Sequence, residues 1–174
     1  MRQSIRRGRS RRQEGESLVE TAVAMPLLLS ISFNIVNFGY FWFLLLTMSA
    51  APRVGAEYST QGGVTVTPGT ASVSNLVYEN MTNAVAGATT SNTAVRVCSS
   101  AKGIDTTTNV ALCDSFGPTY SFSTVEVDPE APAFVLNRVD VEYDVSPIIP
   151  GTVFNVVLPP DLKFRRSSRM RSLY

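Results

Sequence analysis

The chain has 174 residues and a formal net charge of +1, enough for one domain of ordinary size once segments that fold separately are set aside. It has no histidine, which removes the commonest general base, the commonest metal ligand and the usual partner of a Ser or Cys nucleophile. Its two cysteines are too few for a four-ligand zinc site without histidine, so no cofactor or metal is expected and catalysis starts from a poor position.

The near-neutral total hides a partition. Residues 1–12 hold six arginines (Arg2, Arg6, Arg7, Arg9, Arg11, Arg12) and no acid. The stretch Lys163 to Arg171 holds five more cations, whereas Gly15 to Pro160 holds four cations against twelve acids. From Thr21 to Pro52 no residue is charged, and the centre, PLLLSISFNIVNFGYFWFLLL, is dense in Leu, Ile, Phe and Trp. About 20 apolar residues cross a bilayer core of roughly 30 Å, so this run predicts a single membrane span. Arg6, Arg7, Arg9, Arg11 and Arg12 precede it and only Arg53 follows closely, which places the N-terminus in the cytoplasm and everything after Pro52 outside. A cleaved secretory signal is the weaker reading, because its apolar region is normally about 7 to 15 residues. Asn34, Asn37, Ser30, Ser32 and Gly39 inside the span read as helix-packing contacts.

Beyond the membrane, Gly55, Gly62 and Gly63 put the end of the first helix near residue 61, with Pro52 able to kink it on the way. Pro68-Gly69 is a turn signal. In TASVSNLVYENMTNAVAG, the residues Val73, Leu76, Val77, Met81, Ala84 and Val85 share one helical face, which predicts a second helix over 71–86, with Thr70 as N-cap and Gly87 just past its end. The period then changes to two. RVDVEYDV, 138–145, alternates Val139, Val141, Tyr143 and Val145 with Arg138, Asp140, Glu142 and Asp144, which predicts a strand with its charged face in water. Weaker strand candidates are 94–98, 109–113, 120–127 and 152–158.

Cys98 and Cys113 enclose 14 residues in a compartment that permits disulfides. A structural bridge is expected there, with two free thiols as the alternative. Asn80-Met81-Thr82 matches a glycosylation pattern but falls within the expected helix. The resulting fold class is α+β: a long transmembrane helix running into a small exported domain with one further helix and an antiparallel sheet. Its divisions are a leader at 1–15, a packing helix at 16–61, an exported domain at 62–160 and a basic tail at 161–174.

The junction before the span carries a family resemblance. A basic leader, Gly15, Glu16 as the next residue, Glu20 five residues after the glycine, Pro26 and a long apolar helix together resemble the substrate signature of prepilin peptidases. The stretch GESLVETAVAMP resembles the type IV pilin superfamily, and more closely the TadE-like pseudopilins of tight-adherence pilus systems. Over residues 9–63 the likeness is good; MSAAPRVGAEYSTQGG and VDVEYDVSPIIPG are similar to the group's helix extension and late strand. Thr21 departs from the narrower motif, which has Phe or Tyr there.

The resemblance implies a bacterial cytoplasmic-membrane subunit, cut between Gly15 and Glu16 by a prepilin peptidase. It implies assembly with other pilin or pseudopilin subunits on a membrane platform, for a surface filament serving adhesion or secretion. Glu20 would set subunit register by accepting the new α-amino group of a neighbour. On the residues alone, Ser17-x-x-Glu20 also reads as a capping box.

Two further classes compete. One is a permanently anchored binding module or adhesin that is never processed. The other is a membrane-tethered enzyme, for which Asp140, Glu142 and Asp144 lie on one strand face without acid/base differentiation, and Ser99, Ser100 and Lys102 form no recognised Ser-Lys motif. The arginine leader lacks interleaved aromatics and adjoins a membrane helix, so it reads as a topology signal and lipid contact rather than a nucleic-acid site. The basic C-terminal stretch is left open between a disordered tail, a headgroup contact and a partner-binding segment.

Overall fold

The computed structural model describes residues 7–61, 68–149 and 162–173, with side chains from Ser17 to Ser172. Arg6 and the strand expected at 152–158 lie outside the described residues. The elements are α1 (Arg7–Met48), α2 (Ala50–Thr60), α3 (Thr70–Ala84), β1 (Thr93–Cys98), β2 (Ile104–Asp105), β3 (Val110–Ala111), β4 (Cys113–Phe116), β5 (Phe134–Val145) and β6 (Leu162–Leu173). This is the α+β layout expected, with a long apolar N-terminal helix and an antiparallel sheet. The chain divides into two compact units, Met1–Phe41 with Pro147–Pro159 and Trp42–Ser146 with Pro160–Tyr174.

In the first unit, α1 is largely apolar and most of its side chains are exposed, although Asn37 is buried and Phe33, Asn34 and Tyr40 are half-buried. Leu18 and Val23 are each 72% exposed, and Leu27, Ile31, Ile35 and Phe38 are exposed with them. Its polar side chains mostly turn back on their own helix: Thr21 donates to the Ser17 carbonyl, Ser32 to Leu28 and Asn34 to Ser30, each at 2.8 Å. Asn37 differs. It is fully buried, its amide nitrogen donates to the Ile149 carbonyl at 3.2 Å, and its amide oxygen accepts from the Ile149 N–H at 3.1 Å. The packing partner expected from another helix is therefore a piece of this chain's own backbone.

The first helix does not run unbroken to 61. Pro52 has no N–H for the Met48 carbonyl and its ring crowds that carbonyl. The helix stops at Met48 and Ser49 makes a tighter bond to Leu46 at 3.3 Å.

In the second unit, a four-stranded antiparallel sheet in the order β4-β1-β5-β6 stands beside a two-stranded β2-β3 hairpin. Helix α2 packs on β5 and β6, and α3 on β1 and β4. α2 offers a face of small residues, Ala51, Gly55, Ala56 and Ser59. α3 offers Val73, Val77 and Met81, and the sheet answers with Val95, Val97, Val139, Val141 and Tyr143. Each buried Val or Met contributes about 1.5–3 kcal/mol, so this layer carries the stability of the unit. Gly55 is its closest approach: a Cβ there would lie 2.5 Å from a Val77 methyl and 3.3 Å from one of Val139.

The second helix starts where expected, although Gly69 is the N-cap, and the Thr70 hydroxyl donates instead to Asp114 at 2.6 Å. Gly87 takes the positive φ of 90° that suits it just past the helix.

Three strand expectations change. The candidate 109–113 breaks at Leu112 into β3 and β4. The candidate 120–127 is not a strand, because its carbonyls accept arginine side chains rather than a ladder: Ser123 from Arg96 at 2.7 Å and Thr124 from Arg138 at 2.9 Å. The basic stretch read as a tail contains β6, which pairs with β5 from Val145↔Leu162 to Phe134↔Leu173.

Cys98 and Cys113 are cross-strand partners in the β1–β4 register and form the expected disulfide. It closes a loop with a sequence separation of 15, for which the loop-entropy model gives about 3 kcal/mol. Reduction, or Cys98→Ala with Cys113→Ala, is expected to lower the urea midpoint of the full chain in detergent by that equivalent. Coincident curves with and without reductant would show that the bridge does not hold this unit.

Candidate assembly and processing site

The residues around the glycine sit on continuous helix. Arg7, Arg9, Arg11, Arg12, Gly15 and Glu16 all fall within the helical backbone of α1. Ser17 is ten residues inside that helix rather than at its start, so the capping box does not form in the full-length chain. The Ser17 carbonyl is instead bonded by the Thr21 hydroxyl, which gives the residue that departs from the narrower motif a local structural role.

Glu20 is exposed on the helix, and among the described residues nothing forms an ion pair or hydrogen bond with it. The next charge along the chain is Arg53. Pro26 lies within the helix and leaves the Ala22 carbonyl without its usual donor. A carboxylate at the rim of hydrocarbon is costly unless partnered, and a helix apolar all round is stable only in lipid or among other helices. The described arrangement is an exposed carboxyl side chain, Glu20, at the start of the long uncharged run of α1.

The other candidate, the charged face of 138–145, is built differently from the expectation. Asp140 is fully buried, and Arg138 and Glu142 are each 3% exposed. At Arg138, Asp140 and Glu142 this face is buried, and residues of the segment 118–133 bond to its arginines. Asp140 accepts from Arg96 Nε at 2.9 Å on one oxygen and from Arg138 Nε at 2.7 Å on the other. Arg138 is completed by the Ser123 hydroxyl at 2.7 Å and the Thr124 carbonyl. Glu142 accepts from Arg165 Nε at 2.8 Å.

Phe122 lies beneath both Arg96 and Arg165, with ring-centroid distances of 4.8 and 5.7 Å. Further out, β6 pairs Arg169 with Glu126, Arg171 with Asp128 at 2.9 Å and Lys163 with Asp144 at 3.7 Å. The solvated acidic face expected from the alternation is thus an ion-pair lattice, buried at Asp140 and Glu142 and partly exposed at its margins, whose cations come from β1, β5 and β6. Burial pushes the Tyr120 hydroxyl above its ordinary pKa, and so do its donation to Asp144 and the charges of Asp144 and Glu142.

Asp140 and Glu142 are committed to arginines and have no open side for a substrate. Among the described residues, no group of three or more His, Cys, Asp or Glu is placed to hold a metal ion. Lys102 is engaged by the Cys113 carbonyl at 2.9 Å and by Asp114. Lys102 first, and then the Thr70 hydroxyl, hold the Asp114 carboxyl below the usual carboxylate range. That contact is fully present above the ordinary carboxylate pKa and is lost as pH falls through the depressed one. Ser99 is buried and gives its oxygen to the Ala101 N–H at 3.2 Å, so it is not an exposed nucleophile.

Sequence reasoning missed the role of Arg96, Arg138 and Arg165. The signal was the alternation of charge in KFRRSSRMRSL, which puts Lys163, Arg165, Arg169 and Arg171 on one strand face, with Lys163 and Arg165 opposite Asp144 and Glu142 of β5. No protein-family model, no curated protein and no solved structure matches the chain.

Proposed function

We propose that the chain is a minor pilin-like structural subunit of the TadE-like pseudopilin kind, inserted with its N-terminus in the cytoplasm and cut between Gly15 and Glu16 by a prepilin peptidase. It then joins other subunits of a tight-adherence pilus or related secretion filament. The observation that carries this reading is Glu20, exposed and without an ion pair or hydrogen bond among the described residues, on a largely exposed apolar helix five residues past Gly15.

Each residue has a physical part in it. Gly15 costs the helix about 1 kcal/mol relative to alanine, which eases the local unwinding that a protease needs, and its missing side chain permits close approach of the peptidase backbone. The cut gives Glu16 an α-amino group. Glu20 of a neighbouring subunit accepts that cation, selecting one stagger among the many that bury similar apolar area, as a single buried polar group selects register in coiled coils. The arginines from Arg6 to Arg12 hold the uncut leader at the anionic cytoplasmic surface.

Intact-mass measurement of the membrane-extracted chain is expected to show the loss of residues 1–15. Full-length chain alone, in cells with an active prepilin peptidase, overturns the reading in favour of a permanently anchored binding module.

A further inference from the structure

The pairing of Asn37 with Ile149 has a consequence for where the segment after β5 lies. Asn37 sits near the middle of the uncharged run, 17 residues after Glu20 and 16 before Arg53. At about 1.5 Å per residue that is roughly 24–26 Å from either charge. With a hydrocarbon core of roughly 30 Å, no placement of α1 across a bilayer that keeps both charges out of the core puts Asn37 in water. Whatever bonds Asn37 is inside the membrane with it.

Non-helical backbone is tolerated at that depth where it is packed against protein with its polar groups satisfied, and Ile149 meets this condition. Between Pro147 and Pro150 only Ile148 and Ile149 carry N–H groups. The Ile149 N–H and C=O are both taken by the Asn37 amide, which acts as a surrogate neighbouring strand. Ile148 stays 55% exposed, an apolar side chain turned outward beside the lipid-facing surface of α1. No charge interrupts the sequence from Ser146 to Pro160.

We propose that Pro147–Ile149 is a second membrane-inserted element, docked on α1 by Asn37, with Ile148 in contact with lipid acyl chains. This rests on α1 being the membrane span. Occupancy by lipid rather than protein follows from the same depth: acyl chains are what surrounds an outward-turned isoleucine beside a single helix in a bilayer.

The test uses the full chain in liposomes with its disulfide intact, carrying a nitroxide label at one introduced cysteine: Ile148→Cys, Leu27→Cys as the lipid-facing reference, or Thr106→Cys as the aqueous reference. Collision with molecular oxygen reports hydrocarbon, and collision with a water-soluble nickel chelate reports water. The label at 148 is expected to match the one at 27, favouring oxygen over nickel several-fold more than the label at 106.

A label at 148 that matches 106 overturns the proposal while leaving the span intact. A label closed to both reagents overturns lipid contact in favour of coverage by protein. A nickel-accessible label at 27 removes the span itself and the proposal with it. Asn37→Leu is expected to raise nickel accessibility at 148 several-fold without change at 27, and no change at 148 would show that Asn37 does not dock the segment.

Discussion

Asp140→Ala is expected to lower the unfolding free energy of the sheet unit by about 3–5 kcal/mol, the usual cost of stripping one partner from a buried ion pair. Two guanidiniums depend on this carboxylate: Arg138, with a side chain 4% exposed, and Arg96, with a side chain 12% exposed. Removing the anion leaves both cations beneath the 118–133 segment with only neutral oxygens for partners. Urea unfolding of the full chain in detergent, followed by far-UV circular dichroism, reads the effect. A loss below about 1 kcal/mol, the range of exposed pairs, would mean that water reaches this face and that 118–133 does not seal it. Replacing Arg96, Arg138 and Asp140 together by leucine is expected to recover much of the loss, because a fully apolar set leaves no orphaned charge.

Glu20→Ala is expected to cut incorporation into filaments about tenfold to a hundredfold while leaving membrane insertion unchanged. A charge-assisted hydrogen bond contributes about 1.5–3 kcal/mol, and each 1.4 kcal/mol is a factor of ten in an equilibrium. The quantity to measure is the ratio of chain in sheared filaments to chain in membranes, by immunoblot. Glu20→Asp, which keeps the charge on a shorter arm, is expected to fall between the two. An unchanged ratio would end the registry role of Glu20 and favour an anchored module that never assembles.

What could be read from the sequence was whatever depends on local pattern. The length of the uncharged run, the helical spacing of Val73, Val77 and Met81, the alternation around Val139 and Val141 and the breaking effect of Pro52 each act within a few residues, and each has its counterpart in α1, α3, β5 and the interruption at Ser49. What could not be read depends on distant partners. The charged residues of β5 alternate as a solvated face does, and only the arrival of Arg96 from β1, Arg165 from β6 and Phe122 from a covering segment makes that face an interior.

For the same reason, KFRRSSRMRSL has the composition of a tail and the conformation of a strand, since its cations are neutralised by acids tens of residues away. At the proposed processing and assembly motif the spacing of Gly15, Glu20 and Pro26 was legible. That the helix runs on through Gly15, removing the capping role of Ser17, depends on residues upstream of the motif.

The close approach at Gly55 bears on which positions of α2 can vary. Ala51, Gly55, Ala56 and Ser59 are the buried side of α2, and at Gly55 Val77 and Val139 leave no room for even a Cβ, so change there is closed off by volume alone. Arg53 and Glu57 lie on the outward side of the same helix and are exposed. Substitutions at 53 and 57 would therefore leave the packed layer beneath α2 undisturbed, whereas a side chain at 55 would force it apart.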